Sequence, residues 1–152
     1  MEVKTFSDLI DWTRQLHNHL GKCLSHGAAK QREETAKLLL EYLADHERKM
    51  AKMVTRFEEQ ADAKAMHTYV YDHLSHKPIS INERCDPAYG VMGYDDICRE
   101  VFKFHEQVMD LYRTLLGKAE TDTIRDLLQS LLDMEQHEAM RLASQTGRMH
   151  DL

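Results

Sequence analysis

Several ionisable side chains in this sequence stand where the surrounding pattern calls for apolar ones. Glu47 falls between Leu43 and Met50, Glu135 and Glu138 fall between Leu131 and Leu142, and His17 falls between Thr13 and Leu20. Glu106 flanks a similar row, four residues after Phe102 and three before Met109. A carboxylate facing an apolar interior is costly unless it is paired, hydrogen-bonded, protonated or bound to a cation. Each residue alone reads most simply as structural, reaching solvent at a helix flank or pairing with a nearby Lys or Arg. Together they point to a shared site in which Glu47, Glu106, Glu135, Glu138 and His17 converge, with Met50 beside them. Carboxylates so gathered repel when all are ionised, so they share protons or hold a cation.

The segments that must position these residues are helical. Leu, Ala, Glu, Lys, Met and Arg are plentiful, Gly numbers 6 and Pro 2, and both prolines (Pro78, Pro87) lie in one central stretch. A first segment over 6–25, capped by Thr5 or Ser7 and ended by Gly27, carries the stripe Phe6, Leu9/Ile10, Thr13, Leu16/His17, Leu20, Leu24. A second over 28–60 carries Ala36, Leu40, Leu43, Glu47, Met50, Val54 and Phe57. At about 50 Å it is long for such a bundle, so a break near its start is expected. A third over 95–116 buries Ile97, Val101, Phe102, His105, Val108, Met109, Tyr112 and Leu116. A fourth begins after Thr121-Asp122 and runs to about 146, with Ile124, Leu128, Leu131, Glu135, Glu138 and Leu142 inward. The fold class that follows is all-α: one domain over 1–152, an antiparallel four-helix bundle with a long irregular connection, 61–93, between helices two and three. A short helix over 63–74 opens that connection.

Charge and cysteine content narrow the setting. A formal net charge of -6 argues against nucleic acid as the main ligand. No apolar run reaches the roughly 18 residues of a membrane span, and the N-terminus lacks the plan of a signal peptide. Cys23, Cys85 and Cys98 make an odd count with no Cys-x-x-Cys pair, so reduced thiols in a cytoplasm are expected, without a zinc ribbon or rubredoxin-type iron site. Phosphate loops and nucleophile elbows are absent as local signatures.

The stretch 43–51, LADHERKMA, resembles the second helix of rubrerythrin-like members of the ferritin-like superfamily. Residues 132–139, LDMEQHEA, are similar to the matching fourth helix, and 97–112, with Glu106 six residues before Tyr112, to the third. That family sets a Glu on each of two helices and Glu-x-x-His on the other two, around two iron or manganese ions. The resemblance implies metal-binding roles for Glu47, Glu135 and Glu106. Met50 and Glu138 stand where the family has His, and His17 where it has Glu, so the Glu-x-x-His motifs are degenerate. Rotating the helices by one position brings His46, His105 and His137 into play as alternative ligands. His73 and His76 form a separate, weak surface pair.

Two functions stay open. One is a ferritin-like bundle that has lost catalysis and serves as a structural or binding module, holding one metal ion or none. The other is a non-haem di-iron or di-manganese oxidoreductase acting on oxygen, peroxide or iron, supplied by an external electron donor. Met-rich stripes, with Tyr69 and Tyr71 in the connection, favour a homodimer as the assembly.

Overall fold

The computed structural model describes residues 5–67, 85 and 88–151. Four long helices dominate it: α1 (Phe6–Lys30), α2 (Glu34–Gln60), α4 (Tyr94–Leu116) and α5 (Asp122–His150). A single-turn helix, α3 (Ala63–Met66), follows α2, and a 3-10 turn, Tyr89–Val91, precedes α4. The helix expected over 63–74 is thus seen only in its first turn; its remainder, with Tyr69, Tyr71 and His73, lies outside the described residues, as does His76 beyond it. No described helix is long and apolar enough to cross a membrane.

Local chemistry sets the helix ends. Thr5 and Asp8 form a reciprocal capping box on α1, each side chain accepting from the other's backbone N–H at 3.2 and 3.0 Å. Glu33 caps α2 by accepting from the amides of Thr35 and Ala36, and Thr121 caps α5 through the amide of Ile124. The expected break near the start of the second segment falls at residues 31–33, so Ala28–Lys30 extends α1 instead of opening α2.

The helices form two antiparallel hairpins, α1 with α2 and α4 with α5. Their relative sense follows from two apolar clusters. One gathers Phe6 and Leu9 from the start of α1, Val54 from the end of α2, Tyr112 and Leu115 from the end of α4, and Ile124 from the start of α5. The other gathers Leu24, Leu39, Ile97, Leu142 and Tyr89 from the opposite helix ends. Hence α2 and α4 run in the same direction. The chain leaves α2 at the Phe6 end and enters α4 at the Tyr89 end, about 35 Å away at 1.5 Å per helical residue. A short turn cannot cover that distance, which accounts for the long connection.

The far side of that connection is fastened to α1. Gln31 donates from Nε2 to the carbonyls of Tyr89 (3.1 Å) and Met92 (2.9 Å). Cys23 and Cys85 form a disulfide, their Cα atoms 5.2 Å apart and 62 residues apart in sequence. The expectation of three reduced thiols is therefore corrected; only Cys98 is free. The reason is topological: a crossing connection returns Cys85 to α1, a proximity no local spacing reveals.

Gly27 does not end the first helix, as the sequence suggested, but lies within it under the 3-10 turn. A Cβ there would sit 2.6 Å from Cβ of Tyr89 and 3.2 Å from the backbone nitrogen of Gly90. Those atoms cannot swing away. Gly27→Ala is therefore expected to destabilise the protein by about 1–3 kcal/mol despite alanine's better helix propensity. Gly147→Ala, where no atom lies within 4 Å, should instead stabilise by about 0.5 kcal/mol. Urea denaturation of both variants measures the contrast, and equal effects would overturn the packing argument.

Candidate metal centre

The buried ionisable side chains belong to neither apolar cluster and lie at mid-helix on all four long helices. They are His17 on α1, Glu47 on α2, His105 on α4, and Glu135 and Glu138 on α5. Helical periodicity explains the convergence: each continues the inward row of its own helix, and the middle third of each helix falls at one level of the bundle.

Glu47, fully buried, is the hub. Its Oε1 lies 3.0 Å from Nδ1 of His17, and both its oxygens lie 3.0 Å from Nε2 of His105. His46, beside it on α2, approaches Oε2 at 3.4 Å. The other nitrogen of His17, Nε2, lies 2.7 Å from Oε1 of Glu135. Nε2 of His46 lies 3.4 Å from Oε2 of Glu138, whose Oε1 accepts from the largely exposed Arg141 at 3.2 Å. A hydrogen-bonded path thus runs Glu135–His17–Glu47–His46, with His105 joined at Glu47, and Glu138 stands at ion-pair distance from Nε2 of His46, which makes no hydrogen bond among the described residues. Below it, Thr13 donates to the Leu9 carbonyl (2.9 Å), which leaves its oxygen to accept from the Tyr112 hydroxyl at 2.7 Å.

Four of the five residues expected at the site, His17, Glu47, Glu135 and Glu138, are brought together here. Glu106 is not. It lies exposed on the outer face of α4, where Arg113 donates to it at 2.9 Å. Neighbouring residues are about 100° apart around a helix, so His105 and Glu106 face different ways. On α4 the inward one is His105, on the row Val101, His105, Val108. Spacing from Phe102 and Met109, and the likeness to a third-helix Glu, drew attention to Glu106, although the row through Val101 and Val108 already set His105 inside. Met50 is buried one turn beyond Glu47, whereas His137 is exposed.

The electrostatics of the layer are those of charges clamped together away from water. Burial by itself would lower the His17 pKa, but Glu135 and Glu47 outweigh it and raise the ring to about 10. Burial would likewise raise Glu47, yet His105 and His17 together hold it well below its ordinary range. Tyr112 is pushed well above the usual phenol value, chiefly by burial and then by Glu135, so its hydroxyl stays neutral. The imidazolium of His17 therefore serves as a cation between two carboxylates in the metal-free protein.

That arrangement has a pH signature. The ordinary His value is 6.5, and in the fold the ring titrates at about 10. Its stabilisation is complete below pH 6.5 and is lost as the pH rises toward 10. Glu47 has the opposite sign: its contribution is complete above its usual 4.5 and is lost as the pH falls below it. The urea midpoint of chelator-treated protein is expected to fall steadily between pH 6.5 and 10. A midpoint flat over that interval would show that His17 is not the buried cation.

The donor set fits a metal ion. One atom each from His17, Glu47 and His105 lie within 4.8 Å of one another, all buried. A first-row metal holds N and O donors at about 2.0–2.2 Å, so a small contraction brings all three onto one ion. Nδ1 of His105 is buried without a hydrogen-bond partner among the described residues. His17 has a carboxylate on each ring nitrogen, so it can offer one to a metal while the other donates to a carboxylate, an arrangement that fixes ring orientation in metal sites.

No protein-family model and no curated protein sequence matches the chain. It is similar in structure to a candidate ferritin-like diiron-carboxylate protein from Thermotoga maritima. The likeness covers 96% of this chain and 97% of that one, with a TM-score of 0.56 and 15% sequence identity. At that identity the likeness establishes architecture alone: the chain has the ferritin-like fold.

Proposed function

We propose that this protein is a metal-binding ferritin-like bundle that holds one iron or manganese ion in its central layer, and that it acts as a binding module and not as an oxidoreductase. The observation that carries the reading is the convergence of His17, Glu47 and His105 within 4.8 Å in a buried layer. Two imidazoles and a carboxylate form an N2O set suited to Fe(II) or Mn(II). Glu135 adjoins it through His17, whose other ring nitrogen, Nε2, lies 2.7 Å from its carboxylate.

Each side chain has a definite task. Glu47 and His105 bind directly, and Glu135 orients His17 and offsets its charge. His46 and Glu138 hold the outer side of Glu47. Bound iron would supply a redox-active Lewis acid. Ion entry displaces the proton held on His17, so binding is expected to weaken as pH falls. The loss of the family's two Glu-x-x-His pairs, at Met50 and Glu138, supports one ion instead of two. A second reading, a two-metal oxidoreductase, draws on His46 and Glu138, which add an imidazole and a carboxylate next to the first set. An external electron donor would then be required.

Protein purified without chelator is expected to carry iron or manganese at about one equivalent by elemental analysis. At a hundredfold excess over Kd, added Fe(II) or Mn(II) should stabilise it by about 2.7 kcal/mol. Glu47→Ala and His105→Ala should abolish both effects, while Glu138→Ala should keep them. Two equivalents, with one lost in Glu138→Ala, would favour the two-metal reading. No metal and no stabilisation with either ion would reject both.

We also propose a homodimer. Leu38 and Met140, 54% and 73% exposed, are large apolar side chains on outer helix faces and support association. Sedimentation equilibrium at micromolar concentration should give twice the chain mass of 17.8 kDa; a single-chain mass would reject it.

A further inference from the structure

A second reactive group lies at the Tyr89 end, about 9 Å along α1 from His17. Cys23 is 5% exposed, while its disulfide partner Cys85 lies at the surface. Nε2 of His19, one turn before Cys23, lies 3.5 Å from its Sγ. A cavity of about 930 Å³ opens beside the disulfide, and Lys22, His26, Lys30 and Arg32 stand around it with the two cysteines. None of the described residues lining it is acidic.

We propose that this cavity is a thiol–disulfide exchange site selective for a small anionic thiol, of the chemical class of a carboxylate-bearing thiol peptide. Accessibility directs the attack. The incoming thiolate meets Cys85 Sγ, the exposed sulfur, and forms a mixed disulfide with it. The Cys23–Cys85 bond breaks, and its electron pair passes to Cys23 Sγ. His19 stands in place to donate a proton from Nε2 to that buried thiolate, and a leaving thiolate so stabilised departs faster. A second molecule of the thiol then attacks the small-molecule sulfur of the mixed disulfide and releases Cys85. In sum, two small thiols are oxidised to their disulfide, and the protein disulfide gains two electrons and two protons. The Lys and Arg side chains raise the local concentration of an anionic thiol and discriminate against a cationic one.

The cavity also explains why Gln31 and Gly27 fasten the 3-10 turn independently of the sulfur bond. When the disulfide opens, the turn stays on α1, so the cavity wall survives the reaction.

The test is the rate of reduction of the full-length oxidised protein, followed by acid quench and mass spectrometry of alkylated thiols. Glutathione, 2-mercaptoethanol and cysteamine serve as anionic, neutral and cationic probes, with rates corrected for thiolate fraction. Glutathione is expected to react about tenfold faster than cysteamine at low ionic strength, with the gap closing in high salt. Lys30→Gln with Arg32→Gln should narrow that ratio, while His19→Ala should slow all three probes alike. The trapped glutathione adduct should be on Cys85. Rates that follow thiol basicity alone, an adduct on Cys23, or cysteines that alkylate fully before any reductant is added would each overturn the proposal.

Discussion

The carboxylate of Glu47 is the constraint to which the middle of the bundle answers. A charge buried this completely costs several kcal/mol unless neighbours replace the water it has lost. Here the replacement comes from three imidazoles, His17, His46 and His105, contributed by three different helices. His17 then needs Glu135, and His46 brings in Glu138. Satisfying one oxygen pair thus fixes the rotation of all four long helices. Apolar packing above and below supplies the bulk of the driving force, but it tolerates small rotations that a 2.7–3.0 Å hydrogen-bond chain does not.

The same-direction run of α2 and α4 has its own logic. Two hairpins packed this way put the starts of α1 and α5 at one end with the finishes of α2 and α4. Mid-helix positions still meet at one level, so the polar layer is compatible with the long crossing. The cost is a connection that must be held by something other than brevity. Gln31, the close approach at Gly27 and the Cys23–Cys85 bond share that task at one end, and α3, with Ala65 and Met66 buried, does so at the other.

Much of this was legible in the residues. Caps at Thr5 and Thr121, and inward rows through His17, Glu47, Glu135 and Glu138, are local features, and local features survive folding. Glu106 shows where the reading fails. Its spacing from Phe102 and Met109 sets it beside the inward row of its helix, but the row itself runs through Val101, His105 and Val108, and the row is the better guide. Gly27 looked like a helix stop because glycine commonly is one; its use as a contact surface for Tyr89 depends on a segment sixty residues away. The disulfide was invisible for the same reason. Sequence spacing reports what lies on one face of one helix, and says little about which distant segment returns to it.

Helix α1 carries His17 in the layer and Cys23 in the sulfur pair, on one uninterrupted rod. Six residues of helix amount to about 600° of rotation, or some 240° beyond a full turn. The two side chains therefore point in quite different directions, one to the bundle axis and one to the returning connection. Their angular offset is set by the residue count between them alone. A single inserted residue in this interval would turn one relative to the other by about 100°, so that seating the imidazole would unseat the disulfide sulfur. The interval 18–22 is accordingly a gauge length: its composition is free to vary at an exposed position such as Asn18, but its number of residues is not.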